Sequence, residues 1–167
     1  MTRTLEFSVQ TVSKPQLIAA ASREVQTGDI PAAFGPALAH VKSFLARHED
    51  IRALAPKAHE VFLYRHADSG TCSDPMTVYF GVEVARTFDP DPDGEVQCVE
   101  VPVGQVVTVV HKGAYRYISN THAKVRAWIE ENGWKSAGWS WEIYGDERGE
   151  EEEWETGICY LIKRAGL

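Results

Sequence analysis

Cysteine is scarce in this 167-residue chain: Cys72, Cys98 and Cys159 are odd in number and far apart. That spacing argues against a disulfide framework or a Cys-rich zinc site, and a reducing cytoplasm is the simplest setting. Long apolar runs are missing too. None approaches the roughly 20 residues that cross a bilayer, and the N-terminal stretch Met1-Thr-Arg-Thr-Leu-Glu lacks the core of a secretory signal, so no membrane association is expected. Lysine and arginine form no cluster of the kind a nucleic-acid platform needs. The six histidines, His40, His48, His59, His66, His111 and His122, show no ligand spacing. His48-Glu49 and His59-Glu60 each lack the second histidine of a metalloprotease helix. The run Glu150 to Glu153 lacks the alternating ligands and glycine of a calcium loop. No glycine motif cradles phosphate, and no serine sits in a nucleophile elbow. Neither a metal nor a cofactor is expected.

What is present is ordinary globular composition, 44% hydrophobic and 25% charged, enough for one good core or two small ones that lean on each other. The net charge of −7 is unevenly placed. Glu142 to Glu155 holds eight acids and one base, and the rest of the chain balances to zero. All five tryptophans lie between Trp128 and Trp154. An acidic, aromatic segment on a neutral body makes cationic partners electrostatically easier.

The chain reads as a pattern written twice. Gln10-Thr-Val-Ser-Lys-Pro15 aligns with Gln97-Cys-Val-Glu-Val-Pro102, and each runs into apolar sequence, Leu17-Ile-Ala-Ala-Ala and Val106-Val-Thr-Val-Val. The second is a strand by its β-branched density; the first is weakened by alanine. A helix follows each time. Phe34, Leu38, Val41 and Leu45 form one stripe, with Pro31 suited to the first turn. Ile118, His122, Val125 and Ile129 form the other, with Trp128 beside it and Asn132-Gly133 as the stop. Two strands close each copy, 60–65 and 77–84 in the first, 139–144 and 156–162 in the second. Asp68 to Pro75 is loop composition, and Asp89 to Gly94 is a turn-rich linker. The expected architecture is therefore α+β: two pseudo-twofold related β-α-β-β modules, about 1–88 and 96–163, joined by a linker at 89–95. Such modules either bury their open sheet faces together or join edges around a groove, and a concave site where they meet is the usual place for a ligand. The alternative is a single α+β sheet in which the resemblance of the halves is accidental.

Alternation in the strand 139–144 puts Trp139, Trp141 and Ile143 on one side and Ser140, Glu142 and Tyr144 on the other. Glu142 is the residue hardest to explain as plain structure. Either it pairs with a lysine or arginine, or it faces solvent, or it stands unpaired in an aromatic wall, where it raises its pKa or waits for a cation. Tyr64 falls in the first copy where Tyr144 falls in the second, and Tyr79 opens the next strand; both are candidate walls. Trp154 closes the acidic loop and either lids the site or anchors the loop. His122 reads as a hydrogen-bonded residue at the edge of a helical stripe.

His111-Lys-Gly-Ala-Tyr115, the helix ending Trp128-Ile-Glu-Glu-Asn-Gly133, then Trp141-Glu-Ile-Tyr144 and Trp154-Glu-Thr-Gly-Ile158 together resemble the GyrI-like family, which includes effector-binding domains of some AraC-type and MerR-type transcription regulators. The resemblance covers residues 97–163 well and 1–88 more loosely. It implies two strand–helix–strand–strand modules around a central pocket that binds hydrophobic, often cationic, small molecules. It also implies that Glu142 contacts the cation, with Tyr144 and Trp141 as aromatic neighbours. Gly157 at the variable position of the Glu-Thr-x-Ile motif is expected to widen space locally. With no helix-turn-helix segment before the first strand, the chain reads as a sensor module standing alone, with no direct nucleic-acid contact.

Three functions follow as expectations. The first is a cytoplasmic binding protein for amphipathic, cationic small molecules, with Glu142 as anchor and Tyr144, Trp141, Tyr64, Tyr79 and Trp154 as walls. The second is a metal-free hydrolase of reactive electrophiles such as cyclopropane-bearing genotoxins, with Glu142 or Glu155 as general base and Tyr144 orienting the water. The third is an interaction protein that meets a protein partner through the acidic loop 146–155.

Overall fold

A computed structural model of the chain describes residues 5–51, 58–66, 76–92, 94–145 and 149–166. The loop 68–75, with Cys72, lies outside these residues, as do Asp93 and the start of the acidic loop at 146–148. The first half contributes β1 (Ser8–Val12), β2 (Leu17–Val25), α1 (Ile30–Arg47), β3 (Glu60–Arg65) and β4 (Met76–Glu83). The second contributes β5 (Gln97–Glu100), β6 (Gly104–Lys112), α2 (Ile118–Glu131), β7 (Trp134–Tyr144) and β8 (Glu155–Arg164). The class is α+β, and the element order repeats.

All eight strands join one antiparallel sheet in the order β1-β6-β8-β7-β3-β4-β2-β5. That order reads the same from either edge once repeats are exchanged, with a pseudo-twofold axis at the seam between β3 and β7. Of the two packings open to the modules, edge joining is the one observed. The leader strands add something periodicity does not reveal: each crosses to the other module, β1 pairing with β6 and β5 with β2.

Local chemistry explains most elements. Pro31 sits in the first turn of α1, and Gly133, with φ +76°, ends α2 in the left-handed region. β7 begins at Trp134, before the expected Trp139, because an irregularity between Ser136 and Ser140 lets the strand bend and continue. Gly138 lies inside it at φ +93°, a conformation that glycine takes without strain, and its carbonyl accepts the His66 backbone N–H at 2.8 Å.

Both helices lie on one face of the sheet. α1 buries Ala37, Leu38, Val41 and Leu45 against β2 and β4. The alanines that weakened β2 as a sequence signal serve this contact: Ala19 and Ala21 are fully buried beneath α1, where small side chains permit close approach. α2 buries Val125 and Ile129 over β6 and β7. The other face carries no helix among the described residues. There Ile18 and Ala20 of β2, Leu63 of β3, Val106 of β6 and Trp141 of β7 bury one another, which requires the sheet to curl onto itself. No helix of the described residues is long and apolar enough to cross a membrane.

Candidate ligand-binding site

The two helices stand over separate halves of the sheet, and the space between them, above the β3–β7 seam, is a cavity of about 930 Å³. Phe34 of α1 and Phe62 and Met76 of the first-half strands give it an apolar wall. Tyr115, Ile118 and Tyr160 of the second half continue it, and Tyr115 meets Tyr144 edge-on at 5.4 Å.

Strand alternation aims Ser140, Glu142 and Tyr144 into this cavity. Glu142 is only 3% exposed and lies opposite Phe62 across the seam. Phe62 and Glu142 are also equivalent positions in the repeat, so the pseudo-dyad passes between them and the carboxylate occupies the centre of the molecule. Three donors converge on it. The Tyr64 hydroxyl donates to Oε1, the Tyr144 hydroxyl donates to the same oxygen at 2.7 Å, and His122 Nε2 is 2.7 Å from Oε2. His122 Nδ1 is in turn 2.7 Å from the Tyr160 hydroxyl, which accepts a longer bond, 3.4 Å, from Arg126.

Burial by itself drives the Glu142 carboxyl pKa upward, but the bond and charge of His122, followed by the bonds from Tyr64 and Tyr144, outweigh it and hold the pKa below its ordinary value. This corrects the expectation of a raised pKa. Among the described residues its partners are one histidine and two phenols, not a lysine or an arginine. Burial, then the adjacent Glu142 charge, push the Tyr64 and Tyr144 hydroxyls well up, so both remain protonated donors. Beside this cluster His66 bonds Ser140 Oγ through Nε2 at 2.6 Å, and burial, followed by the proximity of His122 and Arg126, lowers its pKa to about 4.

The structure thus brings Glu142, Tyr144 and Tyr64 together. It separates the other expected walls from them. Trp141 is buried on the opposite face, in the core beneath the sheet, and Tyr79 packs against that same core, stacking on Trp139 with centroids 6.3 Å apart. One residue of strand parity accounts for both displacements. Trp154 does not line the cavity; its ring sits 5.0 Å from that of Tyr115, which does, so it supports a wall from behind. Glu155 is exposed and lies 3.8 Å from Lys112, outside the cavity. Gly157 pairs with Ile143 on the face away from the cavity, so it does not widen the site.

Sequence reasoning did not place His122, Tyr160, His66, Ser140 and Arg126 at the site. His122 and Arg126 stand four apart on one helix, a spacing that puts both on one face. Tyr160 shares strand parity with Ile158 and Ile162, and reads as core.

Two half-sheets closing over one shared cavity with a central charged group define a ligand-binding domain. The chain belongs to the GyrI-like family, whose small molecule binding domain matches residues 8–163. Solved structures share the fold. The EcmrR C-terminal domain superposes with a TM-score of 0.74 at 18% identity, covering 99% of this chain and 100% of that one. In the EcmrR–DNA complex the match has a TM-score of 0.76 at 18% identity and covers 96% of this chain, which spans 58% of that protein's length. SAV2435, in a structure bound to tetraphenylphosphonium, matches with a TM-score of 0.58 at 15% identity, covering 95% of this chain and 94% of that one. A hydrolase encoded by lin2189 from Listeria innocua matches with a TM-score of 0.58 at 12% identity, covering 95% and 92%. No curated protein matches significantly.

Proposed function

We propose that the cavity binds amphipathic organic cations, in sensing or sequestration, with Glu142 as the electrostatic anchor. The observation that carries this reading is an ionised carboxylate, 3% exposed, at the floor of an aromatic-walled cavity of about 930 Å³. A charge held away from water interacts strongly with an opposite charge that displaces water beside it, and the Tyr64, Tyr144, Tyr115 and Phe62 rings add cation–π attraction. The occupant of the SAV2435 structure, tetraphenylphosphonium, supplies a probe of this chemistry. Tetraphenylborate has nearly the same shape and the opposite charge. In calorimetry the phosphonium is expected to bind, the borate to bind at least about tenfold more weakly, and Glu142→Gln to remove most of the difference. Equal affinity for the two ions, or full retention of phosphonium binding by Glu142→Gln, rejects Glu142 as the anchor. Free Cys98 and Cys159 suit the reducing cytoplasm as the proposed place of work.

The hydrolase reading is less well supported. A general base works best with a pKa near the working pH, whereas Glu142 is held below its ordinary value by three donors, and Glu155 lies outside the cavity.

A further inference from the structure

The cavity contains a second kind of charge. Arg126 lines it from α2, one turn beyond His122. Other charged residues on its lining have partners: Arg116 lies 2.9 Å from Glu151, and Glu60 lies 2.8 Å from Lys42. Among the described residues Arg126 has no carboxylate within 4.0 Å, and its one hydrogen bond to a side chain is the long contact of 3.4 Å to the Tyr160 hydroxyl. That contact draws the guanidinium toward the cavity floor. A chain of hydrogen bonds, Arg126 to Tyr160 to His122 to Glu142, then joins a cation at the rim to an anion at the centre, both bordering one space. Two imidazoles border Tyr160: His66 stacks on its ring at 6.3 Å and His122 meets it edge-on at 5.6 Å. The opposite wall is apolar at Ile30, Phe34 and Met76, and the polar residues that border it, His59 and Glu60, are paired with Glu83 and Lys42. Along α1 the cavity is lined by Ile30, Pro31 and Phe34, whereas α2 and β7 bring Arg126 and Glu142 to it.

We infer that the preferred ligands are zwitterionic, an aromatic cation that carries a carboxylate, with the cation at Glu142 and the carboxylate on Arg126. This rests on the cation reading above and narrows it. A guanidinium with unused donors matches a carboxylate in charge and in fork geometry. A purely cationic ligand leaves those donors to water and approaches a fixed positive charge. A purely anionic ligand meets the buried carboxylate.

Rhodamine B, a xanthylium cation with a free carboxylate, and its ethyl ester, the same cation without the anion, form the test pair. Affinities are measured by fluorescence anisotropy on the intact protein at neutral pH. The acid is expected to bind about tenfold more tightly than the ester, the effect of one charge-assisted hydrogen-bonded pair at a solvated rim. Arg126→Gln should bring the ratio of the two affinities close to one, and Arg126→Lys should keep part of it. Arg126 is exposed on its helix, so these variants are expected to fold, which circular dichroism verifies. An ester that binds as well as the acid in the unaltered protein, or a preference that survives Arg126→Gln, overturns the assignment of Arg126 while leaving the cation reading intact. Failure of both dyes and of tetraphenylphosphonium to bind overturns the cation reading, and this inference with it.

Discussion

At the scale of single residues, the chemistry of the site concentrates on one carboxylate and the groups that keep it charged. How Glu142 is removed therefore matters more than that it is removed. Glu142→Ala leaves the Tyr64 and Tyr144 hydroxyls and His122 without their acceptor, and is expected to cost about 3 kcal/mol in urea denaturation. Glu142→Gln retains a carbonyl oxygen for the tyrosines and sheds the cost of burying a charge, so about 1 kcal/mol is expected. Equal losses for the two substitutions would mean that shape, not acceptor chemistry, holds the cluster. His66 sets the response to acid. Its pKa falls from 6.5 unfolded to about 4 folded, because of burial and then the nearby His122 and Arg126. Between those values the unfolded chain takes up a proton that the folded chain refuses, so stability drops as pH falls from about 6.5 to about 4. Glu142 adds its own loss only at lower pH, since its carboxyl is held below the ordinary 4.5. The urea midpoint of His66→Gln should change less over the upper window than that of the unaltered protein. Cys159, buried on the far face with its thiol pushed up to about 12, is expected to resist alkylation until the protein unfolds.

At the scale of elements, alternation and helical spacing were legible wherever one face is apolar. Of the stripe Phe34, Leu38, Val41 and Leu45 the last three are buried while Phe34, exposed, borders the cavity; Val125 and Ile129 are buried, and Ser140, Glu142 and Tyr144 share a face as read. What alternation does not tell is which face meets the cavity. Trp141, a large aromatic beside the key glutamate, belongs to a separate core, since both faces of β7 are covered and both therefore carry large side chains. Two strand glycines, Gly157 of β8 and Gly81 of β4, make opposite predictions. At Gly157 an added Cβ would meet Ile143 at 3.7 Å, ordinary contact, on the face away from the cavity. Gly157→Ala should be neutral or stabilise by up to about 0.5 kcal/mol, with ligand affinity unchanged. At Gly81 a Cβ would lie 2.9 Å from the Ala19 carbonyl and from Ile18 Cδ1, in the tightly packed centre of the β2–β4 pair. Gly81→Ala should lower stability by about 2 kcal/mol, seen as a fall in thermal midpoint. Loss of ligand binding by Gly157→Ala would restore the expectation that this glycine shapes the site.

At the scale of the molecule, the exchange of leader strands ties the halves together. β1 completes the edge of the second half and β5 that of the first, so neither half contains all of its own sheet. Fragments 1–88 and 96–167, produced separately, are expected to lack cooperative thermal transitions and to regain one when mixed, followed by far-ultraviolet circular dichroism. A cooperative transition in either fragment alone would show that the exchange is dispensable. By itself the sequence determined the repeat, the kinds of element and their faces, and the isolation of Glu142 as an acid in an aromatic strand, because these follow from local spacing and side-chain chemistry. The tertiary structure decided what contacts that acid. Tyr64 from the other module reaches it only when β3 and β7 pair at the pseudo-dyad, and His122 and, through Tyr160, Arg126 reach it only when α2 packs over the second half's own strands. Sheet order and helix packing, which no local pattern carries, together decide between the readings left open for Glu142, and give the carboxylate a histidine and two tyrosines as partners at the centre of the cavity.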